Sequence, residues 1–527
     1  MIEAPSGRGR GLARSTAIFS LATAGSRMAG LAREIVIRAY FGVEGSINAF
    51  TVAFQIPSLV RALIADVALS SALVPVFSEM LERGERLRAW RVASTVLWLM
   101  LLALSALTAL FIVLAPWIMR PFGYSGADEE LVVGLSRVLF PTVALLGVSG
   151  VVVAILNSYD HFTLPAVAPI LWNVVIIAAL AIGLPFLESD PDQLYLYAAA
   201  VLVGTALQVL LPLPWLRRLD GQLRPILDWR DPAVRRVFKL MLPVTVGIGL
   251  INFNLVIDTF FAARFVDRNL APAAIDAAFR LYMLPQGIFS VAVTAVLFPT
   301  MSRLAARADM RAFESTLSLG LRQIGFLLIP ASMIGAVLAE PIVRLLYERG
   351  EFDAVETTIV AGAFAAFCAG LTFNGTMLLL NRAFFSLQLA WIPTWVALGV
   401  LVANAGLDAA FFRLGVWGIP LATSVVNVLG TAALLVLMRG RIGRLDGARI
   451  AASYGRIVVA SALAAGAAFG VWLGIDGVLG RAVGVQIISV GAGLVVGGLA
   501  YFIVVGLLRI REREALLSLL RWHPLGD

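Results

Sequence analysis

The residues of this chain best placed for chemistry are arginines. Between residues 26 and 79, two apolar stretches hold Arg27, Arg33, Arg38 and Arg61, with Glu34 and Asp66 among them. A charge near the middle of a bilayer costs at least about 2.5 kcal/mol, so it normally faces a watery, protein-lined cavity. Guanidinium groups suit phosphate, because their planar forks meet its oxygens in a bidentate way. Several arginines in two consecutive apolar helices therefore point to a cavity built for an anion. The competing reading pairs them with Glu34 and Asp66, or lets them snorkel to the interface. Arg38 is expected to snorkel, since Phe41-Gly42 ends its helix three residues later. Arg27, Arg33 and Arg61 lie deeper and are assigned to function.

These side chains must be positioned by membrane helices. The chain has 527 residues, is 60% hydrophobic and has a mean hydropathy of +0.91, a composition that excludes a soluble globular protein. Windows long enough to span ~30 Å of hydrocarbon fall at 16–41, 49–78, 93–119, 131–156, 163–187, 194–215, 240–263, 274–301, 315–340, 357–381, 388–412, 416–438, 452–474 and 484–508. The expected fold is an all-α polytopic membrane protein of about fourteen transmembrane helices. Basic residues gather on alternate loops, most densely at Arg217, Arg218, Arg224, Arg230, Arg235, Arg236 and Lys239, while the opposite loops carry acids such as Asp128, Glu129, Glu130, Glu188, Asp190 and Asp192. This positive-inside pattern predicts that both termini are cytoplasmic. It also accounts for the net charge of +8 without nucleic acid.

An internal repeat organises the windows. Pro75 and Pro299, Asn157 and Asn381, and Pro169 and Pro393 are each separated by 224 positions. Leu73-Val74-Pro75 with Ser78 is answered by Leu297-Phe298-Pro299 with Ser302, and Leu156-Asn157 by Leu380-Asn381. The offset predicts two pseudo-symmetric six-helix lobes in parallel orientation, with a site between the halves near the midplane. The expected division is a cytoplasmic N-terminus at 1–15, a first lobe at 16–216 and a charged linker at 217–239. A second lobe at 240–441, two further helices within 449–510 and a cytoplasmic tail at 511–527 follow.

The second lobe repeats the charged theme sparsely. Arg280 precedes Pro285 and Gly287 in helix 8, the counterpart of helix 2, and proline breaks at membrane depth belong beside protein or a water-filled cavity. Asp258 lies deep in helix 7 with Asn252 and Asn254, and Asn404 and Asp408 share a face of helix 11. These oxygens could hold a small cation such as Na⁺ or H⁺. The alternatives are helix–helix hydrogen bonding, or an Asp408 solvated near the outer surface. Arg137 and Arg322 are expected to snorkel.

Other chemistry is excluded. Cys368 is the single cysteine, and the two histidines are His161 and His523, so neither a disulfide framework nor a Cys/His metal site is predicted. The one lysine, Lys239, is in no Walker A pattern. No nucleophile–base pair or substantial soluble domain suggests an enzyme, and no signal-peptide cleavage pattern is present.

The motif Ser26-Arg27-x-x-Gly30-x-x-Arg33-Glu34 is followed by Phe41-Gly42, Ala49-Phe50-x-Val52-Ala53-Phe54, Pro57 with Arg61, and Val74-Pro75. Leu156-Asn157 with Phe162, Arg280 with Pro285 and Gly287, and Gly418-x-x-Leu421-Ala422-Thr423-Ser424 extend the pattern along the chain. At these residues the chain resembles the MurJ (MviN) family, lipid II flippases of the multidrug/oligosaccharidyl-lipid/polysaccharide exporter superfamily. The resemblance implies a multi-pass protein of the bacterial cytoplasmic membrane. Its cavity would bind the pyrophosphate of lipid II through Ser26, Arg27, Arg33, Arg61 and Arg280, with Glu34 and Asn48 in gating or cavity positions. It also implies a groove formed with the last two helices for a polyprenyl tail, membrane lipids and the cell-wall synthesis machinery as partners, and no cofactor. For some members it implies a sodium ion at Asp258, Asn404, Asp408 and Thr423. Two departures weigh against a fixed gating salt bridge: Asn48 and Phe279 stand where the family commonly has acids. Competing functions are a flippase for another lipid-linked oligosaccharide, a cation-coupled exporter of small molecules, and a non-transporting scaffold.

Overall fold

The computed structural model describes residues 25–64, 68–161, 163–443, 447–480, 482–508, 510 and 512. Asp66, Phe162, the N-terminus at 1–15 and all but one residue of the 511–527 tail lie outside them. Regular structure among the described residues is helical throughout, as a chain that must satisfy its backbone inside lipid requires. Among the described residues eleven helices are long and apolar enough to cross a membrane, so this is a multi-pass membrane protein. The windows at 16–41, 49–78 and 240–263 are not counted among those eleven, and the expected number of about fourteen is not reached on that criterion.

The first compact unit comprises the described residues up to 264 together with 268–272. Its helices are α1 over 25–41, α2 (Ile47–Ile64), α3 (Ala68–Glu82), α4 (Arg86–Met119), α5 (Ala127–Leu139), α6 (Pro141–Ser158), α7 (Thr163–Gly183), α8 (Asp190–Leu210), the single turn α9 (Leu213–Leu216) and α10 (Pro232–Phe261). α4 and α3 pack on α6, α7 on α8, and α6 on α8. Leu69, Leu73, Phe77, Trp90, Val152 and Leu156 lie in the resulting core. α10 packs on α2 and α3 and so clusters with this unit. The sequence places a lobe boundary at the charged linker 217–239, whereas the contacts divide the chain near 264–272. The reason lies in side chains far apart in sequence: Val234 and Val237 of α10 join the core built around Phe77.

The second unit comprises residues 265–267 and the described residues from 273 onward. It contains α11 (Ala271–Pro285, whose first two residues cluster with the first unit), a π-helical turn at Gln286–Ser290, α12 (Val291–Ala306), α13 (Met310–Val337), α14 (Ala339–Tyr347), α15 (Ala354–Ser386), α16 (Trp391–Phe411), α17 (Gly418–Ile442), α18 (Gly447–Leu479) and α19 (Val483–Leu507). The pairings of the first unit recur at the repeat offset: α13 and α12 pack on α15, α16 on α17, and α15 on α17. α15 and α17 approach through small residues, as membrane helices do when backbones come close. A Cβ on Gly370 would meet the Ser424 backbone at 2.7 Å, and the Ser424 hydroxyl donates to the Ala366 carbonyl at 2.6 Å.

The helices outside the repeat, α18 and α19, are fastened mainly to α13. Tyr454 and Tyr501 donate to the carbonyls of Leu321 and Phe326 at 2.7 and 2.6 Å. Arg322, expected to snorkel, instead meets Glu512 at 3.0 Å. Arg344 of α14 meets Asp476 at 3.4 Å and lies over the Trp472 ring.

Candidate functional site

The middle of α1 carries a buried ionic cluster. Arg33 is 7% exposed, Glu34 5% and Arg38 2%. A guanidinium nitrogen of Arg33 lies 2.5 Å from Glu34 Oε1, and one of Arg38 lies 3.8 Å from Glu34 Oε2. Glu34 and Arg38 are one helical turn apart, in the favourable orientation with the acid nearer the N-terminus. Arg38 therefore does not snorkel. The counterion one turn back and the surrounding packing hold it inside, and its distance from the helix end does not decide the matter. Arg33 is covered by a residue distant in sequence: its Cζ lies 4.5 Å from the centroid of the Trp172 ring on α7, a cation–π arrangement.

Ser26 is half-buried and Arg27 is exposed. Arg27 stands seven residues before Glu34, which at 3.6 residues per turn is the same face of α1. Arg61, in the last turn of α2, is half-buried in a crevice with Phe54, Pro57, Ser58 and the same Trp172. The free space there is about 10 Å³, room for a single water. Trp172 thus lies against Arg33 and lines the crevice that holds Arg61, a link the sequence does not disclose.

Asn48 is fully buried, and its side-chain amide donates to three carbonyls: Val43 at 2.9 Å, Gly45 at 3.0 Å and Asn269 at 2.5 Å. The Gly45 N–H also donates to the Asn269 carbonyl at 2.7 Å. Gly45 has a φ of +81°, which favours glycine at this turn. Asn48 therefore ties the α1–α2 turn to the segment before α11. A carboxylate here would oppose carbonyl oxygens, which accounts for an amide at this position.

In the second unit, Arg280 is 42% exposed at its side chain and meets Asp276, one turn earlier, at 3.1 Å. Phe279 instead contacts the Tyr282 and Phe367 rings. The acid missing at 279 is thus supplied from 276, at the i, i+4 spacing that could have revealed it. Beyond Pro285 comes the π-helical turn, a form frequent at functional sites. Gln286 there donates to Asn374 Oδ1 at 2.8 Å, and Asn374 donates to Asn427 Oδ1 at 3.4 Å.

The four expected cation ligands are divided by unit. Asp258 is buried in the first. In the second, Asn404 and Asp408 are fully buried, so Asp408 is not solvated, and Asn404 Nδ2 donates to Asp408 Oδ2 at 3.0 Å. Thr423 lies on α17, which packs against α16, and donates to the Ile419 carbonyl at 3.3 Å. Among the described residues no group of three or more His, Cys, Asp or Glu could hold a metal. An ion at Asp408 could draw on amide, hydroxyl or carbonyl oxygens beside the carboxylate, a donor set suited to a hard cation.

Comparison with known proteins gives the setting for these residues. The profile of the family described as lipid II flippase MurJ matches residues 37–476. The lipid II flippase MurJ of Burkholderia cenocepacia is 32% identical over 426 residues, 79% of this chain and 81% of that protein. A solved structure of lipid II flippase MurJ in an inward closed conformation superposes with a TM-score of 0.77 at 24% identity, covering 93% of this chain and 98% of the other. An inward-facing multidrug resistance MATE transporter of the MOP superfamily superposes with a TM-score of 0.69 at 18% identity, over 80% of this chain and 96% of that one. The chain belongs to the lipid II flippase MurJ family.

Proposed function

We propose that the protein translocates lipid II, the undecaprenyl-pyrophosphate-linked peptidoglycan precursor, from the cytoplasmic to the outer leaflet of the bacterial cytoplasmic membrane by alternating access. The observation that carries this reading is the arginine grouping on α1. Arg33 and Arg38 are held in the protein interior by Glu34, while Arg27 on the Glu34 face is exposed. An exposed guanidinium within an apolar stretch has work to do, because the bilayer penalises it. A pyrophosphate supplies the oxygens that its fork accepts. Arg61 and Arg280 extend the cationic set, and Glu34 and Asn48 act by fixing the elements that carry it.

Electrostatics supports the outward direction. With both termini cytoplasmic, as the basic loops indicate, an anionic head group moves away from the negative side. Each net charge gains about 2.3 kcal/mol per 100 mV. Sodium is the candidate coupling ion, held by Asp408 and Asn404 with Thr423 beside them. The protein is on this reading a transporter and not an enzyme.

The test is rescue of a bacterium depleted of its own lipid II flippase. Wild type restores growth, and Arg27→Ala and Arg280→Ala fail at matched membrane abundance. Rescue by all three would remove the arginines from the mechanism. Failure of the wild type despite normal insertion would redirect the reading to another lipid-linked saccharide.

A further inference from the structure

The second unit holds an open cavity of about 740 Å³ walled by α13, α15, α17 and α18. Most of its wall is hydrocarbon, from residues such as Ile329, Met333 and Leu435. Five hydroxyls also reach it, and each is engaged within the protein. Ser332 and Thr372 share a hydrogen bond at 3.3 Å, and Thr376 donates to the Thr372 carbonyl at 2.8 Å. Thr431 donates to the Phe373 carbonyl at 2.8 Å, and Tyr454 to that of Leu321 at 2.7 Å. Among the described residues the one charged side chain on the lining is Arg439, in the last turn of α17 at the edge of its apolar span.

These features select an occupant. A water molecule needs two to four polar partners, and walls whose hydroxyls are already engaged offer few. An empty cleft would forfeit the dispersion contacts of its lining. Inside a bilayer, the material available to fill it is hydrocarbon chain. The α13 wall runs from Leu321 to Ala336, about 22 Å at 1.5 Å per residue, which approaches the depth of a ~30 Å hydrocarbon layer. A cation at one end of a long apolar slot is the complement of a chain bearing an anionic head.

We infer that this cavity is a site for one anionic phospholipid drawn from the surrounding bilayer, with its chain in the slot and its phosphate on Arg439. The lipid fills the space between the repeat helices and α18. The site is separate from the candidate arginines of the transport reading and does not rest on that reading. Of the last two helices, α18 walls it and no residue of α19 lines it.

The test uses full-length protein returned to vesicles of phosphatidylethanolamine and phosphatidylglycerol in equal amounts, re-extracted gently and weighed by native mass spectrometry. Wild type should retain phosphatidylglycerol in about fivefold preference, the worth of one arginine near an anionic head. Arg439→Gln should retain lipid without that preference. Ala369→Trp, which fills the slot from α15, should lose the retained lipid, and Ala451→Phe should do the same from α18 if the tryptophan does not fold. Unchanged preference in Arg439→Gln, or unchanged retention in a folded filling variant, would overturn the assignment. So would preferential retention of undecaprenyl phosphate when it is added in equal amount, because the slot would then belong to the substrate class.

Discussion

The buried arginines of α1 and the arginine of α11 are held in opposite ways. On α1, Arg33 and Arg38 are almost fully buried around Glu34, and Trp172 closes over Arg33. On α11, Arg280 stands 42% exposed with Asp276 beside it. A buried ion pair that loses one partner leaves the other charge stranded, whereas an exposed pair is screened by solvent. Arginines can therefore serve unequal ends: the α1 cluster is built into the fold, and Arg280 stands partly in solvent beside Asp276.

That contrast can be broken deliberately. Glu34→Gln should have the largest effect on stability, about 3–5 kcal/mol, because Arg33 and Arg38 lose a buried counterion; thermal unfolding and membrane abundance read it directly. A second substitution of Arg38 should recover part of the loss, with a coupling of about 0.5–3 kcal/mol in a double-mutant cycle. Next comes Asn48→Asp, which sets a carboxylate against the carbonyls that now accept the Asn48 amide; its cost is about 1–3 kcal/mol, and Asn48→Gln offers an amide at the wrong reach as a control. Gly370→Ala should cost about 1–3 kcal/mol, since the added methyl meets the Ser424 backbone and α17 must move. Arg280→Ala should change stability least, by about 1 kcal/mol or less, while abolishing rescue. A large loss of stability in Arg280→Ala would collapse the distinction between the two kinds of arginine.

The hydropathy windows anticipate most of the helices, and the 224-residue offset anticipates more than the three pairs that reveal it. α2 begins at Ile47 and α11 at Ala271, α4 at Arg86 and α13 at Met310, each pair 224 apart. What the sequence withholds are relations between distant side chains. Nothing local shows that Trp172 covers Arg33, or that Arg38 stays inside because Glu34 and the surrounding packing outweigh its closeness to the helix end. The allegiance of α10 is hidden for the same reason: the charged linker is conspicuous, but the packing of Val234 and Val237 is not. Pro285 and Gly287 mark a break in the 274–301 window, yet the π-helical turn at Gln286–Ser290 and its amide contacts to Asn374 and Asn427 depend on α15 and α17. Asp276 was within reach of spacing alone, one turn before Arg280.

The most direct measurement is lipid II translocation in proteoliposomes, read as the fraction of labelled head groups that becomes accessible from the opposite face. The wild type should translocate. Arg27→Ala and Arg280→Ala should reconstitute and unfold like the wild type but move lipid II no faster than empty vesicles. Translocation at the wild-type rate by both variants would contradict the assignment of these arginines to the head group.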